Sequence, residues 1–556
     1  MEEIRNRNLG EVYTPNHVSK LLFELTNKYI PNFNKTHTVW DSCWGTGNLT
    51  SRYEFDDLYC STLRMMDIRR HQGKNKGAVK FAYNFLEEDI EQLISQQAMW
   101  VQQHKMPEEL VEKLDGNKPF LFYINPPYVA TGVYGTNNTD FKEEATSNAV
   151  KNIMREQSLG SACDQTYCQF LYRIYLMREA YKNKKMSIAV ICPPMYLSGI
   201  TYGKFREKFL KDFKFMGGAL FKANEFEGGL SGRWGISIQI WTAGETEDKK
   251  NFEFDLYEKN SKGELECFGK KVIYNLDGEV TCVDWIKELT MGVPQKVAEV
   301  TLSSGCKVSN KKKVNTAVDS LGYFFYKGNN IYHNEQECGM MTLPYSDGSG
   351  VTVSKENFDC AVATFTARRS YSRYGANWMN DKDEYAKPDI HSEAFKKLLY
   401  NGYIYVLFNG ASHMSSLILD TENGRYDAPN HFHFIGIEEM KPWFEEAGIG
   451  MTGPGKLEDR FMYYKVQQAL SSGLLVPQAY KVYEEAIRLW KETVSLRAEF
   501  NKKEPMYQVM NWDAGFYQVK QIIKDRNTQD FLDFNIMYRA FEESIRPLIH
   551  ECGYLR

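Results

Sequence analysis

The chain has 556 residues, enough for two or three domains with cores of their own. Its 43% hydrophobic and 25% charged content is that of an ordinary globular protein, and a net charge of -4 excludes a global attraction to nucleic acid, so any such surface has to be a local basic patch. No apolar run approaches a membrane span, and eleven cysteines without a CxxC pair fit reduced thiols better than a disulfide framework or a zinc site.

The first segment, "MEEIRNRNLGEVYTP", lacks the apolar core of a signal peptide, so a cytoplasmic protein is expected. Thr14 and Pro15 read as the cap and first turn of a helix that carries Val18, Leu21, Leu22 and Leu25 at helical spacing. "THTVWDSCWGTGNLT" is a strand running into a turn, with Asp41 at the strand's end and Gly45 and Gly47 just beyond. Glycines there let the backbone approach a ligand, and the helix that follows adds partial positive charge. The next strand, "LYCSTLRMMDI", brings Asp67 about 20 residues past Gly47, where a carboxylate accepts from both hydroxyls of a ribose. "FAYNFLEED" then places Asn84 and Phe85 after a third strand, suited to pairing with and packing on an adenine ring.

"FLFYINPPYVA" is a buried strand stopped by two prolines, neither of which can donate to a sheet ladder. Ligands of parallel α/β sheets sit beyond the carboxyl ends of the strands. There Asn125 offers a side-chain carbonyl, Pro126 a backbone carbonyl, Pro127 rigidity and Tyr128 a flat face, the parts needed to hold an aromatic amine. "MSIAVICPPMYL" is a further strand of the same kind. Up to about residue 285, strands and amphipathic helices alternate as in βα units around a parallel sheet.

After Thr290, short aromatic strands between Gly- and Asn-containing turns give way to a helical end. In "KVYEEAIRLWKE" the stripe Val482, Ala486, Leu489 and Trp490 reads as core. His431 and His433 in "NHFHF" fit an alternating strand better than a metal site, and no metal is expected. In "TARRSYSRYGANWMNDKDEY", Arg368, Arg369 and Arg373 interleave with aromatics beside Asn377. Arginine pairs with guanine and asparagine with adenine in the major groove; the plain alternative is a charged loop whose aromatics pack inward. The lysines of "NKKKVN" and the basic residues of "RRHQGKNK", Lys74 among them, read as solvated loops.

The order "GEVYTP", "DSCWGTGNL", "MMDI", "NFL", "NPPY", "IAVICPPMYLSG" resembles the γ class of N6-adenine DNA methyltransferases of restriction-modification systems, from the Thr14-Pro15 element through "FEGGLSG". The resemblance implies an α/β, Rossmann-like S-adenosylmethionine-dependent methyltransferase domain, with a seven-stranded sheet of which one strand is antiparallel. Residues 289–556 would form an α+β target-recognition domain with a helical C-terminal part, leaving 1–288 as the catalytic domain. It carries Thr14 and Pro15 over as the element closing on the cofactor's methionine part, Asp41 and Cys43 as its contacts near the glycine turn, Asp67 as the ribose acid, and Asn84 with Phe85 as the adenine contacts. The sequence departs from the family at Ser42, where proline is usual, and at Asn84, where aspartate is usual. The family's second base-stacking aromatic falls nine residues after Pro193, at Tyr202, opposite Tyr128.

The implied reaction moves a methyl group to the N6 amino group of an adenine rotated out of double-stranded DNA, with Asn125 and the Pro126 carbonyl accepting the two amino protons and the unstacking cost of a few kcal/mol recovered by new stacking. A monomer is expected, with any restriction endonuclease a separate protein, since "PDIHSEAFK" lacks the ExK spacing of the common nuclease motif. The alternatives are an rRNA adenine-N6 or protein-glutamine N5 methyltransferase, and a catalytically inactive DNA-binding scaffold.

Overall fold

Alternation of side chains along the central strands builds a sheet that is apolar on both faces. The computed structural model describes residues 14–94, 104–128, 147–226, 232, 234–309, 313–372, 378–526 and 528–556. The sheet's strands are β1 (Thr38–Asp41), β2 (Leu58–Thr62), β3 (Val79–Ala82), β4 (Phe120–Ile124), β5 (Met186–Cys192), β6 (Phe213–Lys222), β7 (Gly235–Ala243), β8 (Asn251–Lys259) and β9 (Leu265–Tyr274). They lie in the order β3-β2-β1-β4-β5-β7-β6-β8-β9. β1 to β5 run parallel, β7 is antiparallel to both β5 and β6, and β8 and β9 extend the far edge.

Along β4, Phe120, Phe122 and Ile124 face one core and Leu121 and Tyr123 the other, as a period of two dictates. The helix Asn16–Tyr29 closes the second core with Val18, Leu21, Leu22 and Leu25, while the helices Thr166–Ala180 and Gly203–Asp212 close the first. Burial on both faces explains why these strands read as nearly continuous apolar runs. Strand order reverses between β1 and β4. In open α/β sheets, ligands sit beyond the carboxyl ends of the strands at such a reversal.

The chain forms two units: Met1–Asp277 with Asn377–Asp383, and Gly278–Ala376 with Glu384–Arg556. The division falls earlier than the boundary expected at 288, because the helix Cys282–Glu288 buries Cys282, Val283, Trp285 and Ile286 in the core of the second unit. A short later segment returns to the first unit, where Trp378 joins the core beside β6 and β7 and the Asp383 carboxylate pairs with Lys271 of β9. Burial still dominates at Asp383 and raises its carboxyl to about 6 despite that lysine.

The second unit combines a four-stranded sheet, in the order Val351–Val353, Gly322–Tyr326, Cys338–Met341, Ser412–His413, with helices including Phe358–Ser372, Glu393–Phe408, Pro477–Thr493 and Thr528–Ile545. The stripe Val482, Ala486, Leu489 and Trp490 is buried core. His431 and His433 lie in a turn and not in an alternating strand; His433 is fully buried, its Nε2 3.3 Å from the Met440 sulfur and its ring against Trp490 and Trp512. Among the described residues no cluster of His, Cys, Asp and Glu has the geometry to hold a metal ion, and no helix is long and apolar enough to cross a membrane.

Gly235 opens β7 where the return segment crosses. A Cβ there would lie 2.8 Å from the Trp378 carbonyl oxygen and 3.1 Å from Leu220. Gly235→Ala is therefore expected to destabilise the first unit by about 1–3 kcal/mol, the usual result of overpacking, read as a lower urea midpoint.

Candidate active site at the carboxyl ends of two parallel strands

β1 and β4 pair in parallel, with Val39 opposite Leu121 and Trp40 opposite Phe122. Asp41 and the turn after it therefore emerge beside Asn125-Pro126-Pro127-Tyr128. The turn depends on its glycines. Gly45 and Gly47 have φ of +49° and +73°, and a Cβ on Gly47 would lie 2.8 Å from the indole of Trp44. The Trp44 amide donates to the Ser61 carbonyl at 2.9 Å, tying the turn to the end of β2.

Asp41 is fully buried. Its Oδ1 accepts from the Cys43 amide at 3.2 Å, and its Oδ2 makes no hydrogen bond among the described residues. Burial pushes the carboxyl up to about 8, outweighing the Cys43 amide and the Thr50 hydroxyl, which favour the charged form. A buried acid with one oxygen that makes no hydrogen bond among the described residues is suited to meet a cation.

Lys74, read as solvated in the sequence, and its neighbour Asn75 brace this turn. Lys74 Nζ donates to the Thr46 carbonyl and to Asn48 Oδ1, both at 2.7 Å, and burial lowers its ammonium. Asn75, with φ of +46°, accepts at Oδ1 from the Trp44 indole and from the Thr50 hydroxyl, both at 3.1 Å. The signal in the sequence was a polar, glycine-flanked loop of the kind that tolerates positive φ; nothing there says what it touches.

On the β4 side, Pro126 is buried and Asn125, Pro127 and Tyr128 are half-buried. Asn125 Nδ2 donates to the Thr14 hydroxyl at 2.8 Å, and the Tyr128 hydroxyl donates to Asn125 Oδ1. Thr14 therefore does not cap the helix: that helix starts at Asn16 behind Pro15, with no side-chain cap. The Tyr128 ring meets Phe226 edge-on at 6.1 Å. Burial raises its phenol well above the usual value, with the Cys192 and Cys43 thiols acting in the same direction.

Asp67 lies beyond β2 in the first turn of the short helix Met65–Arg70, its Oδ2 accepting from Arg64 Nε at 3.0 Å. Leu63, Met65 and Met66 around it are exposed, at 60%, 47% and 57%, an apolar surface of the kind ligands cover. Asn84 is half-buried, and its Oδ1 caps the following turn by accepting from the Leu86 amide at 3.2 Å.

Phe85 differs from expectation. Its ring is stacked on Phe170 at 5.1 Å, meets the edge of Trp40 at 5.3 Å and is 3% exposed, so it presents no face to a ligand. Tyr202 is also internal, 3% exposed, with Gly199 making room for its ring. A ring held in the core cannot stack on a base, and Tyr202 does not stand opposite Tyr128 as an open face.

The arginine stretch is corrected as well. Arg368 and Arg369 lie in the helix Phe358–Ser372 with buried side chains. Arg368 donates to Asn334 Oδ1 at 3.0 Å and to the carbonyls of Gly328 and Lys327 at 3.1 Å, and Arg369 to the Glu335 carbonyl at 2.8 Å. These guanidiniums satisfy internal carbonyls instead of reaching DNA. Arg373 and Asn377 lie outside the described residues.

No family model and no curated protein matches the chain. Solved structures that do match include a DrdV-DNA complex (13% identity, 45% of this chain, 28% of that one, TM-score 0.30). A modification subunit of a putative type I restriction enzyme from Vibrio vulnificus YJ016 also matches (13%, 48% and 52%, 0.29), as does the ATP-dependent Type ISP restriction-modification enzyme LlaBIII bound to DNA (8%, 83% and 46%, 0.34). The chain spans 28% and 52% of the length of the first two, less than two thirds of either. At such identities and scores these likenesses assign no activity to the chain.

Asn75→Ala leaves the buried Trp44 N–H unpaired and is expected to destabilise the first unit by about 1–3 kcal/mol, with Asn75→Asp, which keeps an acceptor and tolerates positive φ, losing less. Chemical denaturation followed by tryptophan fluorescence compares the two.

Proposed function

We propose that the protein is an S-adenosylmethionine-dependent methyltransferase acting on the N6 amino group of adenine in DNA. One observation carries this reading: an Asn-Pro-Pro-Tyr segment and a glycine turn with a buried acid leave adjacent parallel strands at the point where strand order reverses. The residues fit the cofactor. The unsatisfied Asp41 Oδ2 is suited to its ammonium, the Gly45–Gly47 turn brings backbone close, and Asp67 stands beyond β2 for the ribose. When bound, S-adenosylmethionine supplies an electrophilic methyl group on a positively charged sulfur.

The chain's own part is to prepare a poor nucleophile. The lone pair of an exocyclic amino group is delocalised into the ring, and two acceptors on its protons draw the nitrogen toward a pyramidal form. Asn125 Oδ1 and the Pro126 carbonyl are those acceptors in this reading. An amide oxygen has two lone pairs, so accepting from Tyr128 does not exhaust Asn125. Tyr128 gives the base one stacking face, and its second stacking partner is not Tyr202. Duplex contacts are not assigned to Arg368 or Arg369.

The reading is tested by incubating the protein and labelled S-adenosylmethionine with unmodified genomic DNA, ribosomal RNA and total protein in separate arms. Label is expected in DNA as N6-methyladenine, with Asn125→Ala slowing transfer by about a hundredfold or more while cofactor affinity holds. Label in RNA or protein alone would overturn it.

A second prediction follows from Asp41. In the free protein its carboxyl, raised to about 8, holds a proton at pH 7. A cofactor ammonium placed against it favours the ionised form, so binding at pH 7 is expected to release a proton, and the release fades above about pH 9, where Asp41 is already ionised. Calorimetric titration in buffers of different ionisation enthalpy measures this directly, and Asp41→Asn should abolish the buffer dependence.

A further inference from the structure

We infer that the Thr14 hydroxyl is a positioning group for the Asn125 amide, holding it so that the carbonyl oxygen, not the NH2, points to the acceptor side of the site. The inference rests on the reading just given and adds to it a residue in the segment before the first helix. Asn125 is gripped from two sides: its Nδ2 donates to Thr14 Oγ1 at 2.8 Å, and its Oδ1 accepts from the Tyr128 hydroxyl.

Either hydroxyl can in principle donate or accept, so these two contacts by distance alone are compatible with two orientations of the amide. The chemistry of the two hydroxyls separates them. A phenol is the better donor and the poorer acceptor, because its oxygen lone pair is shared with the ring, whereas an aliphatic alcohol accepts well. The favourable pairing has the phenol donating to the amide oxygen and the amide NH2 donating to the alcohol. Two alcohols or two phenols around Asn125 would set no such preference; one of each does.

The consequence is directional. A flipped amide would present two N–H groups to the amino group of a substrate, donor against donor, and would remove one of the two acceptors the reaction needs. Thr14 is 6% exposed and Asn125 is half-buried, so its NH2 would lose a protein partner with limited water to replace it. The same contact ties Thr14 to Asn125 beyond the end of β4, residues far apart in sequence.

Thr14→Val keeps the shape and removes the hydroxyl; Thr14→Ser keeps the hydroxyl. With labelled S-adenosylmethionine and unmodified genomic DNA, Thr14→Val is expected to lower kcat by about tenfold or more, what losing one positioning hydrogen bond is worth, with cofactor affinity and unfolding midpoint near those of the wild type. Thr14→Ser should stay within about twofold, and Thr14→Ala replaces Thr14→Val should the latter not fold. Equal kcat in wild type and Thr14→Val would overturn the inference while leaving the methyltransferase reading intact. So would a weaker cofactor Kd at unchanged kcat, which would give the hydroxyl to the cofactor. A wild-type chain that methylates no DNA removes the reading and the inference together.

Discussion

The parallel pairing of β1 with β4 is the constraint on which the candidate site depends. Their register sets the glycine turn and the Asn-Pro-Pro-Tyr segment side by side, at the point where strand order reverses. Both strands are buried on both faces, so a shift of one residue would turn Phe122 and Leu121 into each other's cores. The position of the polar groups is thus fixed by packing several residues away from them. Proline then does locally what register does globally: with no amide to donate, Pro126 and Pro127 end the ladder at the candidate site.

The site's polar groups are held by unequal means. Asn125 has hydrogen-bonding partners for both ends of its amide, and the glycine turn is braced by Lys74 and Asn75 from the loop before β3. Asp41 is the exception, desolvated and half-satisfied. Burying a carboxyl group without full hydrogen bonding opposes folding, and a core would ordinarily replace it with an apolar residue. In the proposed reading, the group that offsets this cost is the cofactor's ammonium.

Much of this was legible in the sequence, and the failures share a cause. Strand ends, the positive-φ glycines and the proline stop are local properties, and each was read from its own neighbourhood. Tyr202, Phe85, Arg368 and Arg369 failed because exposure is a tertiary property: an arginine beside tyrosines looks the same in a string of letters whether it faces solvent or donates to buried carbonyls. The helix Phe358–Ser372 was missed as a helix because it is buried on nearly every side, so no polar face marks its period. Thr14 was misread in a related way, since threonine before proline at a helix start has an ordinary local use, and its actual partner lies in β4's trailing segment.

The return of Asn377–Asp383 to the first unit has a consequence for biogenesis. The core around β6 and β7 includes Trp378, and the partner of Lys271 is Asp383. During synthesis from the N-terminus, the nine-stranded sheet can assemble as soon as β9 has emerged, yet its last buried side chain is made only after the whole stretch Gly278–Ala376 has left the ribosome. The first unit is therefore a lock whose key is cut late. Until then an apolar patch beside Gly235 stays open, and a nascent chain stalled within the second unit would expose it to chaperones or to other chains.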